Sequence, residues 1–441
     1  MFRKIVRYLI LYQIFIFYSL SWVIAQEPDS LLYELKNYQD SIDFQIQHLK
    51  IAIQKLNEMI LEQKKEDELK ALLEDASRLS MEQEEEKIDV SKKYFSGVRQ
   101  QQGLNPNISF GVDFFGSFSS SDESSINESG DINYGNNGFF LREAQVSLIA
   151  PLDPFTRGKG FLSATPSGFT VDEAYLEWLN LPLHLNLKAG YFKTEFGFYN
   201  RYHDHALPQF DRPKALVNLF GTAGLGGPGI ATNFMLPPII AHASTLDFSF
   251  LVGSNPQSFP SDPPTNVIFS GQFLNYYDIT ASSYLEIRLS GAAGRNDNPA
   301  GMHNSYVGSG GIAYKWAPIG REKYRTVEWK TEFLFSQQEY NAGKHQSMGF
   351  YSSIQNKLGA RFWLSGRVGY SELPYDPSQY EWDYTLLLDF WQSEFVFTRF
   401  QYQYNDRTIS ARKDVIGPFP KEHTFLIQVV WAMGPHKHEA Y

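Results

Sequence analysis

The stretch Leu183-His184-Leu185-Asn186-Leu187-Lys188-Ala189-Gly190-Tyr191 carries apolar side chains at its odd positions and His, Asn, Lys and Gly at its even ones. A pleated strand sends alternate side chains to opposite faces, so this stretch reads as a strand with one greasy and one polar face. The same period of two recurs in segments of roughly ten residues from about Asn107 to Met433. Strands of that kind separate two media. When many of them follow an export signal, the media are lipid outside and water inside a closed antiparallel barrel.

Composition agrees with that reading. Of 441 residues, 16% are aromatic, with Tyr and Phe dominating, while hydrophobic content is only 43%. Transmembrane barrels place aromatics in girdles at both interfaces, and half of every strand is polar. After the first 25 residues there is no run of about 18 apolar residues, the length a membrane helix needs. A helical membrane protein is therefore excluded. The chain has no cysteine, which removes disulfides, thiolate metal sites and a lipoprotein anchor. Net charge is -10 and no basic run occurs, so nucleic acid is not an expected partner.

Residues 1–25 read as a signal peptide. Arg3, Lys4 and Arg7 open it, an apolar stretch from Tyr8 to Ile24 follows, and Val23-Ile24-Ala25 fits a cleavage site before Gln26. Residues 26–92 read as a helical arm. They lack glycine, are dense in charge with acids outnumbering bases, and carry two heptad series. One is Ile46, Ile53 and Ile60; the other is Leu35, Ile42, Leu49 and Leu56. Together they form an a/d seam that one helix cannot satisfy in water, so a coiled coil between copies of the chain is expected. Its alternative is a helical hairpin folded on itself or onto the barrel mouth. Residues 93–106, rich in Gln, Asn, Gly and Pro towards their end, are a linker.

From 107 to 441 the pattern yields about sixteen strands of a transmembrane β-barrel. Short connections such as Ala150–Pro154 and Asn180–Pro182 fit periplasmic turns. Ser119–Gly138, Gly294–Asn304 and Gln337–Gln346 fit extracellular loops. If apolar faces meet lipid, the opposite faces line the bore, because Arg or Lys at the bilayer midplane costs roughly 2–4 kcal/mol. This places Glu143, Glu173, Glu177, Lys188, Arg288, Lys330, Arg361, Arg367 and Arg399 inside. A lumen that mixes acids and bases sorts solutes by charge. Its bland alternative is that these groups only satisfy one another across strands.

The largest break in alternation lies near 194–228, where aromatics, prolines and charges mix without a period. A long loop this apolar is expected to be folded and functional. We read it as a constriction loop carrying Arg201, His203, Asp204, His205, Asp211 and Arg212; an external lid or an oligomer contact is the alternative. His203 and His205, with Asp204 and Asp211, could bind zinc, but two histidines are not a ligand set, and no cofactor is expected. The glycines at 221, 224, 226 and 227 do not open a helix after a strand, which excludes a phosphate-cradling loop.

Several stretches resemble a known family. They are Phe140-Leu141-Arg142-Glu143-Ala144, Asp153-Pro154, Val171-Asp172-Glu173-Ala174-Tyr175, Gly190-Tyr191-Phe192 with Phe196-Gly197, His203 to Ala206, Gly224 to Gly229, and Met433 to His436. These are similar to outer-membrane porins of the phosphate-selective O/P type, and closest to uncharacterised relatives labelled zinc-regulated outer-membrane receptors. The resemblance covers most of Phe139 to Pro237 and the last dozen residues. It implies an outer-membrane barrel of porin kind. The receptor label further implies a plug domain before the barrel, where this chain has only its charged helical arm.

The expected function is passive passage of small, charged solutes or ions across the outer membrane of a Gram-negative bacterium, with the arm in the periplasm. The expected partners are membrane lipid and further copies of the chain, a trimer being the common porin assembly. The alternative is an outer-membrane anchor whose arm tethers a periplasmic partner. No Ser–His–acid spacing stands out, so the chain does not read as an enzyme.

Overall fold

A computed structural model of the chain describes residues 107–120, 137–261, 266–297, 302–341, 343–409 and 421–434. The expected signal peptide, coiled-coil arm and linker lie outside the described residues.

Sixteen strands follow in order. The first eight are β1 (Asn107–Ser119), β2 (Gly138–Pro151), β3 (Thr156–Thr165), β4 (Gly168–Leu181), β5 (Leu185–Lys193), β6 (Gly226–Leu236), β7 (Ala243–Gly253) and β8 (Asn266–Thr280). The second eight are β9 (Ser283–Asn296), β10 (His303–Trp316), β11 (Val327–Tyr340), β12 (Gly343–Lys357), β13 (Phe362–Leu373), β14 (Asp376–Trp391), β15 (Val396–Arg407) and β16 (Glu422–Met433). Each pairs antiparallel with its sequence neighbours, and β1 pairs with β16, with Phe114 opposite Val429. Closure leaves no unpaired edge, which a sheet in hydrocarbon cannot tolerate.

Alternation sorts the side chains as the two-media pattern requires. On β16, Phe425 and Met433 are exposed on the outer face, whereas Thr424, Leu426, Gln428 and Val430 are buried inside. Outer-face aromatics gather towards the two ends. Phe110 meets Trp431 at 5.7 Å and Phe362 meets Phe390 at 5.2 Å near the end that holds both described chain ends. Phe114 stacks on Phe139 at 6.0 Å and Tyr370 packs tilted against Trp382 at 4.8 Å towards the other. These are the positions an interfacial girdle occupies.

Connections differ between the ends. At the terminus end, β2–β3, β4–β5, β8–β9 and β12–β13 are joined by at most four residues. The opposite, loop end holds the three longest connections, β1–β2, β5–β6 and β15–β16. One expected loop is instead mostly strand, and a second is partly so. β11 and β12 run through Gln337–Gln346 and leave only two residues between them, and β9 and β10 take up five of the eleven residues of Gly294–Asn304. A ladder that continues beyond the lipid needs no apolar face, so its sequence looks like a loop. The alternation read from Leu183 starts two residues later, at Leu185. Pro182–His184 forms a 3-10 turn, with Leu183 and His184 held at φ 67° and 55°.

Candidate functional site

The segment between β5 and β6 does not leave the barrel. Thr194 and Leu225 close its base through a 3.0 Å backbone hydrogen bond. The Asn200 side chain reinforces this: its amide donates to both carbonyls at 2.9 Å and its oxygen accepts from Leu225 N at 2.7 Å. From there the chain crosses the bore, forms a 3-10 turn at Asp204–Ala206, and ends in a helix of about two turns, α1 (Lys214–Phe220), buried along its whole length.

One side of this segment is apolar. Phe196, Phe198, Tyr199, Leu216, Leu219 and Phe220 pack against inward side chains of the wall, among them Leu251, Ile268, Val307, Leu334 and Tyr351. Gly311 makes room for Phe198, since a Cβ there would lie 2.5 Å from the ring. Gly197 adopts φ 57°, and Phe198 N then donates to the buried Glu332 carboxylate at 3.2 Å. The β7–β8 connection caps α1: Asn255 donates to Phe220 O at 2.6 Å and Ser258 to Leu219 O at 2.5 Å.

The other side is ionic. Arg367 on β13 grips Asp211 with two hydrogen bonds of 3.0 and 3.2 Å, and also bonds Asp383 at 2.9 Å and Gln209 at 3.0 Å. Gln401 and Gln403 on β15 also reach Asp211. Burial alone would raise the Asp211 pKa, but Arg367 and Lys214 outweigh it and hold the carboxyl below its usual range. Arg399 pairs with Asp389 at 2.8 Å and donates to Leu207 O at 3.2 Å. Arg142 donates to Phe210 O at 2.7 Å and stacks 4.4 Å over the Phe210 ring. It also reaches Asp113 and Asp204.

Two β-bulges build the seat of the histidines. The β1–β2 register slips at Asp113/Phe114, so Arg142 and Glu143 both face inward. The β3–β4 register slips at Phe161/Leu162 and turns both Asp172 and Glu173 inward. His205 Nδ1 donates to Glu143 at 2.8 Å, and His203 Nε2 meets Glu173 at 3.2 Å. Gln145 donates to His203 Nδ1 at 3.2 Å, which fits a neutral His203 ring protonated on Nε2. Burial lowers the His203 pKa, and Glu173 does not fully restore it. Burial opposes charge on His205 too, but Glu143, Asp113 and Asp204 outweigh it and raise its pKa. Asp204 bonds Arg212, and with Arg142 nearby its pKa stays low despite burial.

The segment lies between two cavities. The larger, about 1530 Å³, opens at the terminus end; the smaller, about 360 Å³, opens at the loop end. One short stretch borders both. Arg201, Tyr202, His205 and Ala206 line the larger cavity, while His203 and Asp204 line the smaller. Residues 201–206 are thus part of the partition between the two ends of the bore, with Leu207, Pro208 and Phe210 beside them.

The remaining expected bore residues are placed as follows. Glu177 pairs with Arg157 at 2.6 Å and Lys159 at 3.3 Å. Lys188 sits 4.8 Å over the Tyr175 ring. Arg288 pairs with Glu286, Lys330 with Glu328 and Arg201 with Glu195. Arg361 lies in the β12–β13 turn rather than on a strand, at the rim of the larger cavity. His203 and His205 address different carboxylates, with ring centroids 6.0 Å apart, and no group of three or more metal-type ligands occurs among the described residues. The sequence reading did not single out Asp113, Asp383 and Asp389, nor Arg142 and Asp172 as facing inward. For Arg142 and Asp172 the bulges were the missing signal, since outward residues run Phe139, Leu141, then Ala144, Val146, and likewise Phe169, Val171, then Ala174, Leu176; Asp113, Asp383 and Asp389 follow the plain alternation of β1 and β14.

No family model matches the chain. An uncharacterised protein of Aquifex aeolicus is 26% identical over 309 residues, spanning 60% of this chain and 63% of its own length. The chain therefore spans less than two thirds of that curated relative. Among solved structures, OprB of Pseudomonas putida superposes with a TM-score of 0.53 at 9% identity, over 77% of this chain and 97% of its own. The anion-selective porin of Comamonas acidovorans does so with a TM-score of 0.51 at 8% identity, over 74% and 99%. At such identities the likeness is one of fold: this chain shares the closed barrel of outer-membrane porins.

Proposed function

We propose that the chain is a passive channel for small, charged solutes or ions across a bacterial outer membrane, with its chain ends in the periplasm. The observation that carries this reading is the arrangement of cavities. An apolar outer wall encloses polar space at both ends of the bore, and the two spaces are separated only by the stretch 201–206 and the rest of the inserted segment. A barrel that served only as an anchor has no use for charged cavities on both sides of a thin partition.

Selectivity for phosphate, as in the O/P-type porins the sequence resembles, is the finer reading. Most bases of the inner wall are already committed to acids, as with Arg367, Arg399, Arg288 and Lys330, so they shape the bore more than they fill it with free positive charge. The test is planar-bilayer recording on the purified full chain in potassium chloride. Discrete, ohmic current steps are expected. A correctly folded barrel that inserts and stays silent contradicts the channel and favours the anchor.

A further inference from the structure

Ion pairing in the larger cavity is lopsided. Arg201, Arg288, Lys330 and Arg399 are matched by Glu195, Glu286, Glu328 and Asp389. Four more bases line the same cavity: Lys315, Lys323, Lys357 and Arg361. Among the described residues none of them forms an ion pair. The nearby acids are Glu328, already held by Lys330 but within electrostatic reach of Lys315, and Glu394 on the neighbouring β14–β15 turn.

Lys315, Lys323 and Lys357 form one cluster, and Arg361 lines the same cavity from the neighbouring turn. Lys315 and Lys357 end their strands facing inward, in phase with Ala313 and Ser353. Lys323 and Arg361 sit on the two adjacent turns. Backbone bonds clamp those turns together: Lys357 N donates to Thr326 O at 2.8 Å and Gly359 N to Tyr324 O at 3.0 Å. Trp391 N donates to Arg361 O at 2.8 Å, which joins the β14 end to the same cluster. Lys315 and Lys323 both act electrostatically on Lys357.

Flat aromatic faces lie among the charges. Trp363 and Trp391 point inward on β13 and β14, in phase with Arg367 and Asp389. Lys357 Nζ stands 5.0 Å from the Trp363 ring centre, and Trp391 packs on Phe397 at 4.8 Å. Tyr284 and Tyr324 complete the lining. Cations that form no salt bridge among the described residues, beside the half-buried Trp363 ring, suit a ligand with an anionic end and a flat apolar body. A focused positive field in a low-dielectric mouth also concentrates such ions. A small inorganic anion would use the charges and leave the rings idle. These groups face the cavity, not the outer wall, which points away from lipid headgroups.

We propose that the terminus-end cavity is a binding site for aromatic carboxylates, held by Lys357, Arg361 and their two lysine neighbours against Trp363. This deepens the channel reading by naming a solute class, and rests on that reading only for transport, not for binding. Equilibrium dialysis of labelled benzoate against the detergent-solubilised full chain reads the site, with inorganic phosphate and benzylammonium as competitors. Benzoate is expected to bind, phosphate to compete weakly and benzylammonium not at all. The pair Lys357→Gln with Arg361→Gln should weaken binding roughly tenfold or more, and Trp363→Leu should weaken benzoate while leaving phosphate unchanged. No binding, equal competition by phosphate, or unaltered affinity in the charge variants overturns the proposal. Current steps in potassium chloride report the channel separately: benzoate binding without current would break the channel reading and keep the site, and current without binding the reverse.

Discussion

The inner wall of this barrel grips one segment with two different chemistries. From β7 to β12 it offers Leu251, Ile268, Val307, Leu334 and Tyr351, against which Phe196, Phe198 and α1 pack. From β13 through β16 and round to β4 it offers Arg367, Arg399, Arg142, Glu143 and Glu173, which hold Asp211, Leu207 O, Phe210 O and the two histidines. Both walls are built on the same alternation, broken on the ionic side by the bulges of β2 and β4, and they differ in what occupies the inward positions. The apolar wall supplies area without direction. The ionic wall fixes register, because each buried charge is satisfied in one arrangement only.

Breaking the ionic wall should cost most. Arg367→Ala leaves Asp211 and Asp383 facing each other in a dry interior, a loss of about 3–5 kcal/mol. Hydrogen exchange in residues 194–225 should accelerate accordingly, with larger and noisier conductance. Exchange at the wild-type rate would show that the clamp is dispensable. On the apolar wall, Leu334→Ala removes a buried side chain and should cost about 3 kcal/mol, read in the same exchange experiment. If both variants loosen only their own side of the segment, the two walls act independently. Gly311→Ala should cost less, about 1–3 kcal/mol, by pushing a methyl into the Phe198 ring. A neutral result there would mean the ring has room to move.

The two walls were unequally legible in the sequence. Alternation alone assigned Glu143, Glu173, Lys330, Arg367 and Arg399 to the inner face, where they lie. The apolar wall was hidden, because the rule was read as apolar outside and polar inside. Its trace is present as unbroken apolar runs, Phe250-Leu251-Val252, Val267-Ile268-Phe269 and Phe333-Leu334-Phe335. Strands buried on both faces read that way, here between lipid and the inserted segment. The wall partners of Asp211 were not legible at all. Arg367 is 156 residues away, and only closure of the barrel brings the two together.

Smaller effects sharpen the comparison through pH. His205 is held above the ordinary value of 6.5, so it stabilises the segment fully below that value and progressively less as pH rises through its raised pKa. His203 is held below 6.5, so the folded segment loses stability as pH falls from 6.5 towards its lowered pKa. Exchange protection of 194–225 should therefore peak near neutrality. His205→Gln should flatten the alkaline limb and His203→Gln the acid limb; limbs that survive both changes would assign the titration to other groups. Micromolar zinc should leave conductance unaltered, since the two rings address separate carboxylates, and a zinc-dependent block lost in His203→Gln would reverse that reading.

The partition itself is open to a direct test, because the chain has no cysteine of its own. Ala223→Cys lines the loop-end cavity and Ala206→Cys the terminus-end one. A maleimide too bulky to pass the bore, added to one side of the reconstituted barrel at a time, should label Ala223→Cys only from the loop end and Ala206→Cys only from the terminus end. Labelling of both from the same side would mean that the segment does not lie across the bore.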